Sequence, residues 1–175
     1  MSSLPPFAPT SWTNQKLVLF HGTIDPAAAS ILSKVDTTKG SVATDFGKGF
    51  YTTTILRQAT SWAWMRSQRS GGIHSPAVVK LELNRDDLAG LQALWFVRGS
   101  YDADDFWSLV FHCRTGGSLH VRSAPATNPY DMVIGPAAAS WKQRLTIFDA
   151  DQVSFHTPAA EAILNGPSCV RSTVP

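Results

Sequence analysis

Apolar positions along the chain fall into short runs of two kinds. Leu17–Phe20 is a continuous apolar run of four residues, which predicts a buried strand ending at His21-Gly22. Asp25 offers an N-cap side chain and Pro26 suits a first helical position, so Ala27–Leu32 predicts a short helix. Val35–Gly49 is polar, rich in Thr and Gly, and without periodicity; a loop of that length in a compact domain points to function. Phe50–Thr54 has the aromatic and β-branched content of a strand. From Leu56 onward Ala59, Trp62, Ala63 and Arg66 recur at helical spacing until Gly71-Gly72.

The second half of the chain continues the mixture. Ala77–Leu83 and Ala93–Val97 read as strands, with a helical turn over Asp86–Leu91 between them. Asp104–Arg114 predicts a helix with Phe106, Trp107, Val110 and Phe111 inward, closed by Thr115-Gly116-Gly117. Tyr130–Ile134 is a strand expected to break at Gly135-Pro136. Leu145–Phe148 and Val153–His156 read as two strands joined by a turn at Asp149–Gln152. Thr157-Pro158 opens a last helix running through Leu164. Residues 1–14 form an irregular lead-in that Phe7 and Trp12 pin to the surface; 15–165 form one domain; 166–175 form a frayed tail. Strands and helices mix without regular alternation, which predicts an α+β single domain.

Composition narrows the function classes. The 175 residues are 43% hydrophobic, enough for a real core, and a formal net charge of +2 argues against a surface built to coat nucleic acid or membrane. Apolar stretches such as Leu91–Val97, interrupted by Gln92, fall far short of the roughly 18 residues a membrane span needs. The first residues carry no Lys or Arg and no apolar core, so no secretory signal is expected. Cys113 and Cys169 read as unrelated thiols of a reducing compartment, and no His, Cys or acidic spacing suggests a metal site.

Three segments carry candidate chemistry. In Phe46-Gly47-Lys48-Gly49-Phe50-Tyr51, two glycines let backbone approach a ligand and the aromatics supply a stacking face; the alternative is a glycine-bulged turn entering a strand. The lysine is not in Walker spacing. His21-Gly22-Thr23 follows a buried strand, where His21 can bond a hydroxyl and Gly22 can expose backbone groups to a planar amide; otherwise His21 is a core histidine bonded to main chain. Gln152 can hydrogen-bond a ribose hydroxyl but cannot act as a base, or else it is an exposed turn residue.

Together these segments resemble the ADP-ribosyltransferase superfamily, in the branch of diphtheria-type toxins and poly(ADP-ribose) polymerases. The pattern is closer still to a bacterial family of transferase-like domains with five ordered blocks. They stand here as His21–Thr23, Gly47–Thr53, Gln58–Ala63, Tyr130–Pro136 and Gln152–Thr157. The resemblance implies an ADP-ribosyltransferase-like fold of two packed, mostly antiparallel sheets with short flanking helices. It implies NAD as substrate, no metal, and transfer of ADP-ribose to a macromolecular acceptor, protein or nucleic acid, by a toxin or effector with a neutralising antitoxin or immunity protein. The place of action would be the cytoplasm, or a target cell reached without a signal peptide.

Residue roles follow from the same resemblance. His21 would bond a ribose 2′-hydroxyl, the Gly22 backbone would clamp the nicotinamide carboxamide, and Thr23, Gly47, Lys48, Gly49 and Phe50 would complete the NAD site. Tyr51 and Trp62, eleven residues apart, would sandwich the nicotinamide ring. A serine of the polymerases falls at Ala59, so its hydrogen bond is lost or passes to Thr60 or Ser61. Gln152 matches the catalytic glutamate and lacks its charge, which Asp149 or Asp151 could supply. Trp141, Lys142 and Arg144 would meet the acceptor, unless Trp141 is core and the cations are solvated. His156 shares a strand face with Gln152 and would line the floor of the site or bond main chain. Two other functions fit the same residues: an NAD glycohydrolase with water as acceptor, and a non-catalytic module that binds NAD or ADP-ribose.

Overall fold

A computed structural model describes residues 16–97, 103–117, 120 and 129–174. The lead-in expected over residues 1–14 lies outside the described residues. The described chain is a mixed α+β domain with two sheets. The first has the order β1 (Leu17–Ile24), β3 (Pro76–Leu83), β7 (Val170–Val174), all antiparallel. The second has the order β2 (Phe50–Thr52), β6 (Leu145–Phe155), β5 (Met132–Ser140), β4 (Ala93–Trp95), antiparallel except for the parallel β4–β5 pair. One bridge, Phe20 to Thr53, joins the sheets.

Alternation along the strands sets the layers. Leu19, Val79, Leu81 and Leu83 point from the first sheet into a core shared with Phe50, Met132, Val153 and Phe155 of the second. Val78 points the other way, onto Ala59 and Ala63 of helix α2 (Leu56–Arg69). Helix α1 (Asp25–Ser33) and helix α5 (Pro158–Leu164, capped by Thr157) close the shared core through Ala28, Ala160 and Leu164. The short α3 spans Arg85–Leu88, and α4 (Ala103–Arg114) covers the outer face of the second sheet through Phe106, Trp107 and Val110. Cys113 and Cys169 are buried, free thiols.

Five details differ from the sequence reading. β1 does not stop at His21 but runs through Ile24, and Asp25 enters the first turn of α1 because its N–H is taken by the Ser75 carbonyl. Phe111 is exposed on α4, and Cys113 takes the inward position instead. β5 passes through Gly135-Pro136: a register shift follows Pro136, and a proline without N–H is tolerated at such a bulge. The two strands expected on either side of Asp149 are one, because Asp149 takes a left-handed φ of 51° and the extra residues bulge outward while pairing resumes. The expected frayed tail carries β7, whose polar sequence suits an edge strand.

Candidate functional site

A cavity of about 420 Å³ opens where the two sheets part. The Phe20 N–H and C=O both bond Thr53, so strand parity turns the N–H and C=O of Gly22 toward the same edge. Counting back from that bridge sets Gly22 opposite Tyr51, but β1 and β2 do not pair there. Backbone groups of Gly22 are therefore left on the open edge. Glycine is required at this point for a second reason: a Cβ would lie 2.0 Å from the Ala59 carbonyl oxygen of α2.

His21 fills the gap between the strands. Its Nδ1 lies 2.6 Å from the Tyr51 carbonyl, which can only accept, so Nδ1 carries the proton and Nε2 keeps a lone pair. The ring stacks on Phe50 at 4.6 Å. Burial, with the nearby Arg66 cation, pushes its pKa down to about 4 despite the bond to Tyr51. At neutral pH this wall of the cavity thus offers an uncharged acceptor.

The G-K-G-F-Y block is a frame for one aromatic ring. Tyr51 lines the cavity while its hydroxyl bonds Thr44 Oγ1, the Phe46 N–H and the Gly47 carbonyl. These bonds hold the loop closed around Gly47, whose φ of 83° favours glycine. Burial lifts the Tyr51 phenol well above its usual pKa, so it remains a neutral donor. His156 braces the same loop: its Nδ1 donates to the Lys48 carbonyl, and a Cβ on Gly49 would meet that ring nitrogen at 2.6 Å. Of the alternatives for His156, the structure therefore selects main-chain bonding. Gly49 and Phe50 reach the cavity; Gly47 and Lys48 do not line it.

Gln152 is buried on the opposite wall rather than exposed in a turn. Its Nε2 donates to Asp45 Oδ2 at 2.5 Å and to the Pro136 carbonyl at 3.0 Å. Asp45, 4% exposed, also accepts from the Ala138 N–H at 2.9 Å, and its Oδ1 accepts from Arg114 Nε at 2.9 Å and Nη2 at 2.6 Å. The carboxylate expected from Asp149 or Asp151 is thus elsewhere. Asp151 turns to Thr53 Oγ1 and the Thr54 N–H, while Gln58 bonds its backbone at both N–H and C=O. Neither Asp149 nor Asp151 lines this cavity.

Helix α2 supplies the third wall. Ala59 and Ala63 pack inward, which turns Trp62 and Arg66, each one turn from its neighbour, along the cavity. Tyr51 and Trp62 line the same space with no ring contact between them. Thr60 and Ser61 do not replace a serine at Ala59, because their hydroxyls bond the Leu56 and Arg57 carbonyls of their own helix. On β1, Thr23 shares the strand face of His21, and its fully buried Oγ1 has no hydrogen-bond partner among the described residues. Arg66 has no acidic partner among the described residues, and with Lys34, Lys39 and Arg114 it outnumbers the two carboxylates, Asp36 and Asp45, around the cavity. That balance suits an anionic ligand.

Trp141, Lys142 and Arg144 stand apart from this cavity. They form the turn between β5 and β6 and line a separate shallow depression with Trp107, Ser108 and Phe111. Trp141 packs edge-on against Phe111, Lys142 lies 5.5 Å over the Trp141 ring, and Arg144 pairs with Asp104 at 3.0 Å. Among the described residues no group of three or more His, Cys, Asp or Glu could hold a metal, and no helix is long and apolar enough to cross a membrane.

A family model for proteins of unknown function, DUF3990, matches residues 17–165. The chain belongs to the DUF3990 family. No curated protein matches it. The DUF3990 match spans every wall of the cavity, from His21 on β1 to Gln152 on β6. Sequence reasoning missed the charged members of the lining, among them Asp45, Arg114, Arg66, Lys34 and Lys39. Asp45 stands directly before the F-G-K-G run, which was the available signal; its partner lies 69 residues away, and no local pattern pairs them.

Proposed function

We propose that this protein is an NAD-dependent mono-ADP-ribosyltransferase acting on a macromolecular acceptor, with an ADP-ribosyltransferase-like fold. The observation that carries the reading is the convergence of His21, Tyr51, Trp62 and Gln152, from four separate sequence blocks, on one cavity. Breaking the nicotinamide–ribose bond of NAD leaves positive charge on the ribose carbon, while nicotinamide departs neutral, so the site needs orientation and water exclusion more than a general acid. Tyr51 and Trp62 flank the flat leaving group, and the outward N–H and C=O of Gly22 match a carboxamide. His21 Nε2 accepts from a ribose hydroxyl. Arg66, Lys34 and Lys39 face the pyrophosphate, and the Thr23 hydroxyl on β1 awaits a partner in the same cavity.

Incubation of the pure protein with labelled NAD and cell lysate tests the reading, with release of nicotinamide and a labelled macromolecule expected. The absence of both products would overturn it. Nicotinamide with no labelled target would instead make water the acceptor. Binding of NAD without turnover would favour the non-catalytic module, a reading helped by the carboxylate beside Gln152 among the described residues, Asp45, being already engaged by four donors.

A further inference from the structure

We propose that Asp45 is the positioning residue of this cavity: it locks the Gln152 amide so that a neutral side chain presents a fixed carbonyl oxygen to a ribose hydroxyl of NAD. The inference rests on the NAD reading above for its ligand, but not for the lock itself. A glutamine has two N–H groups and one carbonyl oxygen to place. Both N–H groups of Gln152 are spent, on Asp45 Oδ2 and on the Pro136 carbonyl. Turning the amide over would set its oxygen against a carboxylate and a carbonyl, two groups that can only accept. One orientation survives, and in it Oε1 is the group left for the cavity that Gln152 lines.

Asp45 is itself held in place by its other donors. Arg114 neutralises its charge through two bonds to Oδ1, and the Ala138 N–H shares Oδ2 with Gln152. A hydrogen bond to an ionised acceptor is stronger than one to a neutral group, and it draws electron density through the amide toward its oxygen. The site's negative charge therefore stands one hydrogen bond behind the group that meets the ligand. The other titratable groups facing this wall do not change charge between pH 5 and 8. Arg66, on α2, stays a cation; burial pushes the Tyr51 phenol and the Cys113 thiol up, so both stay neutral; Asp151, next in β6, turns to Thr53 and Thr54; His21, across the cavity, stays neutral above about pH 4.

The isostere Gln152→Glu decides the matter. The carboxyl group it introduces would, when ionised, put oxygen against both Asp45 and Pro136. When protonated, the same group would donate to Asp45 and still offer its carbonyl to the cavity. The lock therefore predicts a variant that works near pH 5 and fails near pH 8. Nicotinamide release should fall about tenfold or more over that range relative to wild type, through kcat rather than KM. The melting temperature, read without ligand, should fall over the same range, again relative to wild type. Asp45→Asn keeps one acceptor oxygen for Arg114 but turns an N–H on the Gln152 amide and the Ala138 N–H; where the variant is folded it should lower kcat about tenfold while NAD affinity by calorimetry changes less than about threefold. A Gln152→Glu protein as active and as stable at pH 8 as at pH 5 would overturn the lock. So would an Asp45→Asn protein with wild-type kcat. If wild-type protein binds no NAD, the proposed function falls and the ribose with it, and the pH dependence of the Gln152→Glu melting temperature still decides the lock.

Discussion

Two Arg–Asp pairs of similar geometry sit in two very different places. Arg114 meets Asp45 at 2.6 Å inside the cavity wall, with the side chains 30% and 5% exposed. Arg144 meets Asp104 at 3.0 Å at the β5–β6 turn, with the side chains 63% and 89% exposed. The first carboxylate holds a backbone N–H and a glutamine amide in addition to its arginine. The second is an ion pair in water, where screening and side-chain entropy cancel most of the attraction. The cavity is therefore a site whose groups are fixed before any ligand arrives. The turn is a surface that can adapt to whatever docks there.

Removing one partner from each pair breaks the comparison most directly. Asp45→Ala takes the acceptor from two guanidinium N–H groups, one Gln152 N–H and one backbone N–H, and should cost about 3 kcal/mol of stability in denaturant unfolding. Asp104→Ala should cost less than about 0.5 kcal/mol in the same measurement. Equal losses would mean that the cavity wall is as wet as the turn.

Gly22→Ala is the next largest effect. The new Cβ would meet the Ala59 carbonyl oxygen, a backbone atom that cannot swing aside, so β1 and α2 must separate. A loss of about 2–3 kcal/mol is expected. NAD binding by calorimetry should fall further than that loss explains at temperatures where the variant is folded. An alanine variant of wild-type stability would show that α2 does not approach β1 at Gly22 as closely as described.

Acid should separate the two regions as well. An unfolded histidine takes its proton near pH 6.5, whereas folded His21 resists until about pH 4 and His156 until about 3. Across that window the unfolded chain binds more protons, so stability falls as pH drops from 7 toward 4. His21, its ring being partly exposed, should account for about 2 kcal/mol of the fall. Urea unfolding at stepped pH would show this, and His21→Gln should flatten the slope by that share. An unchanged slope would place His21 in water.

Much of the cavity was legible in the chain because its blocks hold several restricted residues side by side. His21, Tyr51, Trp62 and Gln152 each sit in such a block, and the blocks constrain one another in the fold: Gly22 under Ala59, Gly49 under His156, Gln58 on the Asp151 backbone. Several such contacts per block leave dense motifs. What stayed hidden was a single pairing between unmarked positions, or a strand made by compensation. The Asp45–Arg114 pair joins a loop to a helix with no shared period. β6 is one strand only because Asp149 accepts a left-handed φ, and β7 is a strand because β3 offers it an edge, not because Val170–Val174 is apolar.

The smallest effect on stability should be the most informative about the acceptor. Among the described residues Lys142 is held only by its place over the Trp141 ring, so Lys142→Ala should change stability by less than about 0.5 kcal/mol. It lies outside the cavity, so release of nicotinamide from NAD into water should stay at the wild-type rate. Labelling of a macromolecule in lysate should nevertheless drop several-fold if the turn is where the acceptor docks. Tyr51→Ala, by contrast, should remove both products together. A Lys142→Ala protein that labels its target as well as wild type does would move the acceptor surface off the β5–β6 turn, and leave Phe111 and Trp141 as packing for α4 alone.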